Sequence, residues 1–521
     1  MRIIDFLDHG ALLSPSAICL SSAADAPAHD YTFAQTVELS HRIGAALHRD
    51  GVHPGDAVAV LSPNNPLGYA CMMGLFRAGA VWIPLNGRNP LSENQSVMRA
   101  RGVTWLFYHS DYQSDVNVLM EIIGSLRGAV CIDSAPATPA TPAIMLSQWM
   151  AEQGCARVEV AERADDLAAI VSTGGTTGEP KGAMLPHRVF ETMVATFMTC
   201  MPIDRCPVHL VVAPMTHGAG ATTFPMLAAG ATQVFMAKAE PGAILQEIER
   251  RQVTHVFLPP TLLYMLLAHP DVRRRNYSSL RYLLLGAAPV AAEKLREAVD
   301  VFGPVVAQCF GQVEAPMVCT FMSPSELADA IVTHPARMLS CGRPTALVKL
   351  PIVDEQGRPV AAGERGEIVV RGNLVMHGYH SANEATPATE GWHHTGDIGI
   401  MDADAYVYIV DRKRDLIISG GFNIYPSEIE QVLLAHPCVQ DGAVIGVPDE
   451  KWGEAVKAVV QLKPGEVVTP EALLTWCRER LGGMKTPKTL EIWEQLPRSP
   501  VGKVLKKVIR AQYWTQQDRC V

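Results

Sequence analysis

An α/β fold is predicted: a large N-terminal domain of βαβ-layered sheets plus a β-rich subdomain, followed by a small α+β C-terminal domain. Three observations predict it. A chain of 521 residues is too long for a single core. Short, continuously apolar runs alternate with helical patterns from residue 57 to residue 288, as in βαβ units with largely parallel, doubly covered sheets. Beyond about residue 340 the pattern changes to denser strand signals and then to a short mixed segment.

The elements follow in order. AVAVLS (57–62) reads as a buried strand, Pro66–Ala78 as a helix, and AVWIPL (80–85) as the next strand. The cycle returns with HLVVAPM (209–215), a helix near Thr222–Ala229 and TQVFM (232–236). It continues with a helix at Ala243–Arg251, then THVFLPP (254–260) and LRYLLLGAA (280–288). GEIVVRG (366–372) and AYVYIVDRKRDLIISG (405–420) suggest the β-rich layer. From 427 a helix (SEIEQVLLAH), two strands (GAVIGV and VKAVVQL) and a helix (PEALLTWCRERL, 470–481) suggest the small domain. The domains are therefore expected at 1–410 and 411–521. SAPATPATPA (134–143) reads as a low-complexity surface loop.

Composition excludes several classes. Apolar residues are 48% and charged residues 19%, a globular balance, and the net charge is −9 with no polybasic tail, which argues against nucleic acid as a partner. The 12 cysteines form no C-x-x-C pair and no zinc spacing, so they are expected to be buried or idle thiols in a reducing compartment. MRIIDFLDHG carries acids and no sustained apolar run, unlike a secretory signal. No stretch reaches the ~18 apolar residues of a membrane helix. A cytoplasmic enzyme without a transmembrane segment is expected. The oligomeric state, including a homo-oligomer, is left open.

The most informative segment is STGGTTGEPKG (172–182), directly after the strand-like AAIV (168–171). Four glycines let the backbone approach a ligand closely. Thr173, Thr176, Thr177 and Ser172 supply hydroxyls and Lys181 a cation. Such a loop suits a polyphosphate. It matches neither the Walker pattern nor G-x-G-x-x-G.

STGGTTGEPKG also resembles the phosphate-loop signature of the adenylate-forming superfamily, which includes acyl-CoA synthetases, aryl-CoA ligases, peptide-synthetase adenylation domains and beetle luciferases. Further matches follow in the expected order. LLLGAAPV (283–290) resembles the stretch flanking adenine, and QCFGQVEA (308–315) resembles the aromatic-Gly-x-Thr-Glu motif. GWHHTGDIG (391–399) resembles W-x-x-T-G-D, and DRKRDLIISGGFNIYPSEIE (411–430) resembles the hinge and the start of the small domain. PRSPVGKVLKK (497–507) resembles the C-terminal lysine motif.

The resemblance implies an acid–CoA ligase that uses ATP, Mg²⁺ and coenzyme A: a carboxylate attacks the α-phosphate of ATP, and the acyl group then passes to a thiol. Two anions must meet, so the chemistry is mostly charge neutralisation and positioning. Thr173, Gly174, Gly175, Thr176, Thr177, Gly178 and Lys181 are implied to hold the leaving phosphates, with Glu314 and Thr176 on the metal. Gly286, Ala287, Ala288, Gln308, Phe310 and Gly311 are implied around adenine, and Asp397 and Arg412 on the ribose. Lys503 is implied as the catalytic lysine, delivered by rotation about Asp411. The alternate pose is implied to present Gly420-Gly421 to the pantetheine thiol. His217 is implied near the carboxylate. Lys413, Arg414, Lys506 and Lys507 are expected to be surface charges, and His187, His393 and His394 structural.

One departure stands out. Val313 occupies the place of the family's threonine, keeping the branched shape without the donor. One hydrogen bond to a charged group is worth roughly 1.5–3 kcal/mol, or about 10- to 100-fold in rate. Met215-Thr216-His217-Gly218-Ala219 lacks the aspartate that holds an amino group in peptide-synthetase domains. The expected pocket walls, His217–Thr223, Pro259–Leu262, Gly286–Ala288 and Gln308–Gly311, are small or apolar. A medium- or long-chain fatty acid is therefore expected, with an aryl acid close behind. The alternatives are a ligase loading a carrier-protein thiol in trans and a catalytically weakened nucleotide-binding homologue.

Overall fold

The computed structural model describes residues 1–24, 29–134, 144–151, 157–161, 163–173, 181–203, 207–380, 391–498 and 504–514. Residues 174–180, Lys503 and most of the 134–143 stretch lie outside this set. Two compact units form. One comprises Met1–Leu350, Val370–His393 and Ala405–Val407; the other comprises Pro351–Val369, His394–Asp404 and Tyr408–Val521.

The first unit holds the two largest sheets among the described residues. In one, the strands Tyr282–Leu285, His255–Leu258, Val208–Val211, Thr232–Phe235 and Ile18–Ser22 run parallel. In the other, Val81–Leu85, Ala57–Leu61, Trp105–Tyr108 and Gly128–Cys131 do the same. Their apolar runs are buried because helices cover both faces. The intervening helices begin where local chemistry dictates. After Ala57–Leu61, the Asn65 side chain accepts from Leu67 N at 2.8 Å and Gly68 N at 3.3 Å, and Pro66 opens the helix Pro66–Arg77.

Antiparallel pairing is added at the borders that matter for function. Leu167–Thr173 pairs with Lys181–Pro186, closing on Thr173 opposite Lys181. Gly378–Tyr379 pairs with the outer side of Lys181–Pro186, with Tyr379 opposite Ala183. Val306–Gln312 pairs with Ala315–Met322, closing on Gln312 opposite Ala315.

Most of a four-stranded layer, formed mainly by Arg365–Val370, His393–Met401 and Val407–Arg412, lies in the second unit. That unit also contains a sheet built on the long hairpin Val439–Asp449 and Gly453–Leu462. The helices Pro426–Leu434 and Pro470–Lys485 pack around Ile417, Ile429, Leu433, Val444, Val456 and Leu473. Burying each such side chain stabilises by roughly 1.5–3 kcal/mol.

Element boundaries match the expectations closely in the sheets. The helix expected near Thr222 begins earlier, at Gly218, and runs to Ala228. Gly220 is required there by packing: a Cβ on it would lie 1.7 Å from the Met215 carbonyl oxygen. Tertiary packing thus overrides the poor helix propensity of Gly218 and Gly220. Six of the cysteines, Cys19, Cys71, Cys131, Cys309, Cys319 and Cys477, are buried.

Candidate active site

In the first unit, the hairpin that closes Gln312 on Ala315 leaves Val313 and Glu314 as its two-residue turn. The turn leaves the Glu314 carboxylate half-buried instead of enclosing it in the sheet. Gly311 fits because a Cβ would approach Met317 N to 2.4 Å. The Glu314 backbone carbonyl accepts from Met376 N at 2.8 Å, which fixes the neighbouring segment. That segment is held on its other side by His377 N donating to Met184 O at 2.8 Å and His380 N donating to Gly182 O at 2.7 Å.

Tyr379, between these anchors, donates from its hydroxyl to Glu314 Oε1 at 2.7 Å. The Lys181 ammonium stands 5.4 Å from the centroid of the same ring. Lys181 and Glu314 are therefore brought to one place. Thr173, opposite Lys181, donates to the Lys181 carbonyl at 3.5 Å. Ser172 Oγ is buried with no hydrogen-bond partner among the described residues. Gly174, Gly175, Thr176, Thr177 and Gly178 lie outside the described residues.

The donor set fits magnesium. Mg²⁺ takes hard oxygens, dehydrates reluctantly and is held by one or two carboxylates plus substrate phosphates and water. Glu314 offers one half-buried carboxylate beside a cation. Among the described residues no group of three or more His, Cys, Asp or Glu forms an all-protein cage.

His217 caps the helix Gly218–Ala228. Thr216 Oγ1 lies 2.9 Å from His217 Nδ1. With Thr216 donating, the ring keeps its hydrogen on Nε2. Protein packed around the ring, and then the Arg88 guanidinium, hold the pKa below the ordinary histidine range. A cavity of about 90 Å³ beside His217 is lined by Asn64, Asn86, Arg88 and Thr216.

Phe257 packs against two glycines that the sequence reading placed in the pocket. A Cβ at Gly218 or at Gly286 would sit 3.1 Å from its ring. Gly286 is buried, while Ala287 and Ala288 are exposed, and Ala287 takes φ 71°, a strained value for a side-chain residue. Phe310 is buried. The Gln308 amide is committed inward, donating to Ser340 O at 3.3 Å.

In the second unit, Arg412 Nε pairs with Asp397 Oδ1 at 2.6 Å, so the two residues expected on ribose are together. The Asp397 carboxylate is buried, and Thr395 Oγ1 accepts from Asp397 N at 3.1 Å while donating to Ile368 O. Asp411 accepts from Arg412 N at 2.7 Å and from Ser427 N at 2.8 Å. Gly420 and Gly421 have φ of 58° and 83° between the strands Ile417–Ser419 and Phe422–Ile424. A two-residue hairpin turn with both φ positive demands glycine on its own account. Trp452 also demands it at Gly420, where a Cβ would lie 2.6 Å from the indole.

One expectation is corrected. Lys506 is not a free surface charge: its ammonium pairs with Glu430 Oε1 at 2.7 Å. Burial works against that charge, but the Glu430, Asp411 and Asp415 carboxylates outweigh it and hold Lys506 above the ordinary lysine range. Lys413 is exposed as expected, yet it donates to Glu367 at 2.9 Å. Lys503 is outside the described residues. Sequence reasoning missed Tyr379, Arg88 and Trp452, which carry no periodic or spacing signal.

The comparisons agree with this arrangement. The AMP-binding enzyme family matches residues 8–380, and the AMP-binding enzyme C-terminal domain matches residues 428–503. The medium/long-chain-fatty-acid–CoA ligase FadD8 of Mycobacterium tuberculosis is 34% identical over 489 residues, covering 90% of this chain and 84% of that protein. Feruloyl-CoA synthase of an Amycolatopsis species is 35% identical over 503 residues, covering 95% and 97%. ATP-bound MatB from Rhodopseudomonas palustris superposes with a TM-score of 0.87 at 28% identity, covering 98% of this chain and 99% of that one. No helix among the described residues is long and apolar enough to cross a membrane. The chain belongs to the AMP-binding enzyme family, as an AMP-forming acid–CoA ligase that uses ATP, Mg²⁺ and coenzyme A.

Proposed function

We propose that the acid is apolar, a medium- or long-chain fatty acid or an aryl acid, activated as its acyl-adenylate with release of pyrophosphate and then transferred to CoA. The observation that carries this is the apolar ring of Phe257, packed closely against the glycines at 218 and 286 next to His217. An apolar wall of this kind suits a hydrocarbon or a flat ring and offers no partner to a second charge. The relatives that act on fatty and ferulic acids support the same class.

The residues divide the work as follows. Lys181 and the hydroxyls around Thr173 hold the leaving phosphates. Glu314 holds magnesium, which when bound neutralises phosphate charge. His217 orients the acid carboxylate. Phe310 and Gly286–Ala288 line the adenine side, and Asp397 with Arg412 accept and steady the ribose. Lys503 bridges carboxylate and α-phosphate in the adenylation pose, and a rotation of 411–521 about Asp411 exchanges it for Gly420-Gly421. The enzyme works in the cytoplasm.

The test is CoA-dependent AMP release over a panel of acids. Decanoate, palmitate, cinnamate and benzoate derivatives should lead the panel. Best activity on malonate or on an amino acid would sink the proposal. Lys503→Ala should abolish pyrophosphate exchange while thioester formation from supplied acyl-adenylate persists.

A further inference from the structure

We infer that Tyr379 is a positioning residue that presents both charges of the phosphate site at once. Its hydroxyl holds the Glu314 carboxylate, and its ring face holds the Lys181 ammonium. The inference rests on the reading above, in which Glu314 serves Mg²⁺ and Lys181 serves the leaving phosphates.

The geometry is specific. The hydroxyl donates to Glu314 Oε1 at 2.7 Å, and the ammonium lies 5.4 Å from the ring centroid, within cation–π range. Tyr379 is itself anchored from two directions. Strand pairing sets it opposite Ala183, two residues from Lys181, and Met376 N binds the Glu314 carbonyl. One short strand is thus tied to both the lysine-bearing hairpin and the glutamate-bearing turn. A neutral phenol suits this task. A lysine in its place would neutralise Glu314 and compete with the metal, and an aliphatic residue would leave the carboxylate rotamer free. The ring attracts the ammonium without supplying an anion that phosphate would have to displace.

The experiment measures direct ATP binding by titration calorimetry at low and high Mg²⁺, alongside the Mg²⁺ dependence of pyrophosphate exchange. Tyr379→Phe keeps the ring and deletes the hydroxyl. It should weaken the Mg²⁺-linked gain in ATP affinity, and raise the Mg²⁺ needed for half-maximal exchange, by about 3- to 10-fold. ATP binding without Mg²⁺ should be unchanged, and kcat should largely recover at saturating Mg²⁺. Tyr379→Leu should in addition weaken ATP binding without Mg²⁺, through Lys181. In a Glu314→Gln background, Tyr379→Phe should add nothing to the loss of Mg²⁺ linkage. A wild-type Mg²⁺ response in Tyr379→Phe, or losses that multiply independently in the double variant, would overturn the inference while leaving the ligase reading intact. A parent enzyme whose ATP affinity ignores Mg²⁺, or which makes no acyl-adenylate, would overturn the ligase reading itself.

Discussion

Four carboxylates, one in the first unit and three in the second, are held in two opposite ways. In the first, Glu314 is steadied by the neutral hydroxyl of Tyr379. In the second, three are met by a cation: Asp397 by Arg412 at 2.6 Å, Glu430 by Lys506 at 2.7 Å, and Glu367 by Lys413 at 2.9 Å. A neutral donor orients a carboxylate and leaves its charge for an incoming ligand. A cation spends that charge on holding the fold. The first unit shows both kinds: Glu247 is met by Arg250 at 2.7 Å, so the neutral partner distinguishes Glu314 within its own unit as well.

The comparison is sharpest at Glu314. Replacing it with Gln keeps the shape and removes the charge, and pyrophosphate exchange should fall by roughly 100- to 1,000-fold with the melting temperature nearly unchanged. A loss of folding stability instead, with exchange preserved, would erase the contrast between the units.

Lys506 should behave in the opposite way. Lys506→Ala leaves the half-buried Glu430 without its cation and should destabilise the protein by about 1–2 kcal/mol, read from denaturant unfolding. Replacing both partners by Leu and Met should recover much of that loss.

A third test uses charges that neither unit accepts. His209 and His255 lie on adjacent parallel strands in the first unit, and both rings are buried. Burial holds His209 down to about 4, although the bond to Gln233 opposes it. Burial, and then His209 and Arg281, hold His255 down to about 3. Both are neutral in the folded state, whereas unfolded histidine titrates near 6.5. The unfolded chain thus binds more protons as pH falls. The stability these groups contribute is complete above pH 6.5 and drains away as pH falls from about 6.5 to about 4 for His209 and to about 3 for His255. His209→Gln should flatten that acid-side decline in thermal unfolding.

The smallest expected effect is at Val313, the turn partner of Glu314. Val313→Thr should raise pyrophosphate exchange by up to about tenfold. No gain would mean that another donor already serves that position.

Much of the fold was legible because strand burial writes itself into contiguous apolar runs. AVAVLS and TQVFM read directly as Ala57–Leu61 and Thr232–Phe235. The ordered motifs also located Glu314, Asp397 and Arg412 before any geometry was available, and the structure joins the last two in an ion pair. The roles of Tyr379 and Lys506 were not legible. Tyr379 sits 198 residues from Lys181 and 65 from Glu314 in sequence. Lys506 lies in a run of charges that looks solvated until Glu430 is placed beside it.

By itself, then, the amino-acid order determined which chemical groups exist, their spacing within each motif, and the apolar periodicities that select strand or helix. These are properties of neighbours along the chain. Only the tertiary structure decided which charge meets which partner: a phenol for Glu314, an ammonium for Glu430, a guanidinium for Asp397. Those partners come from distant segments, and electrostatic and hydrogen-bond energies depend on separation in space and on local burial, which linear distance does not encode.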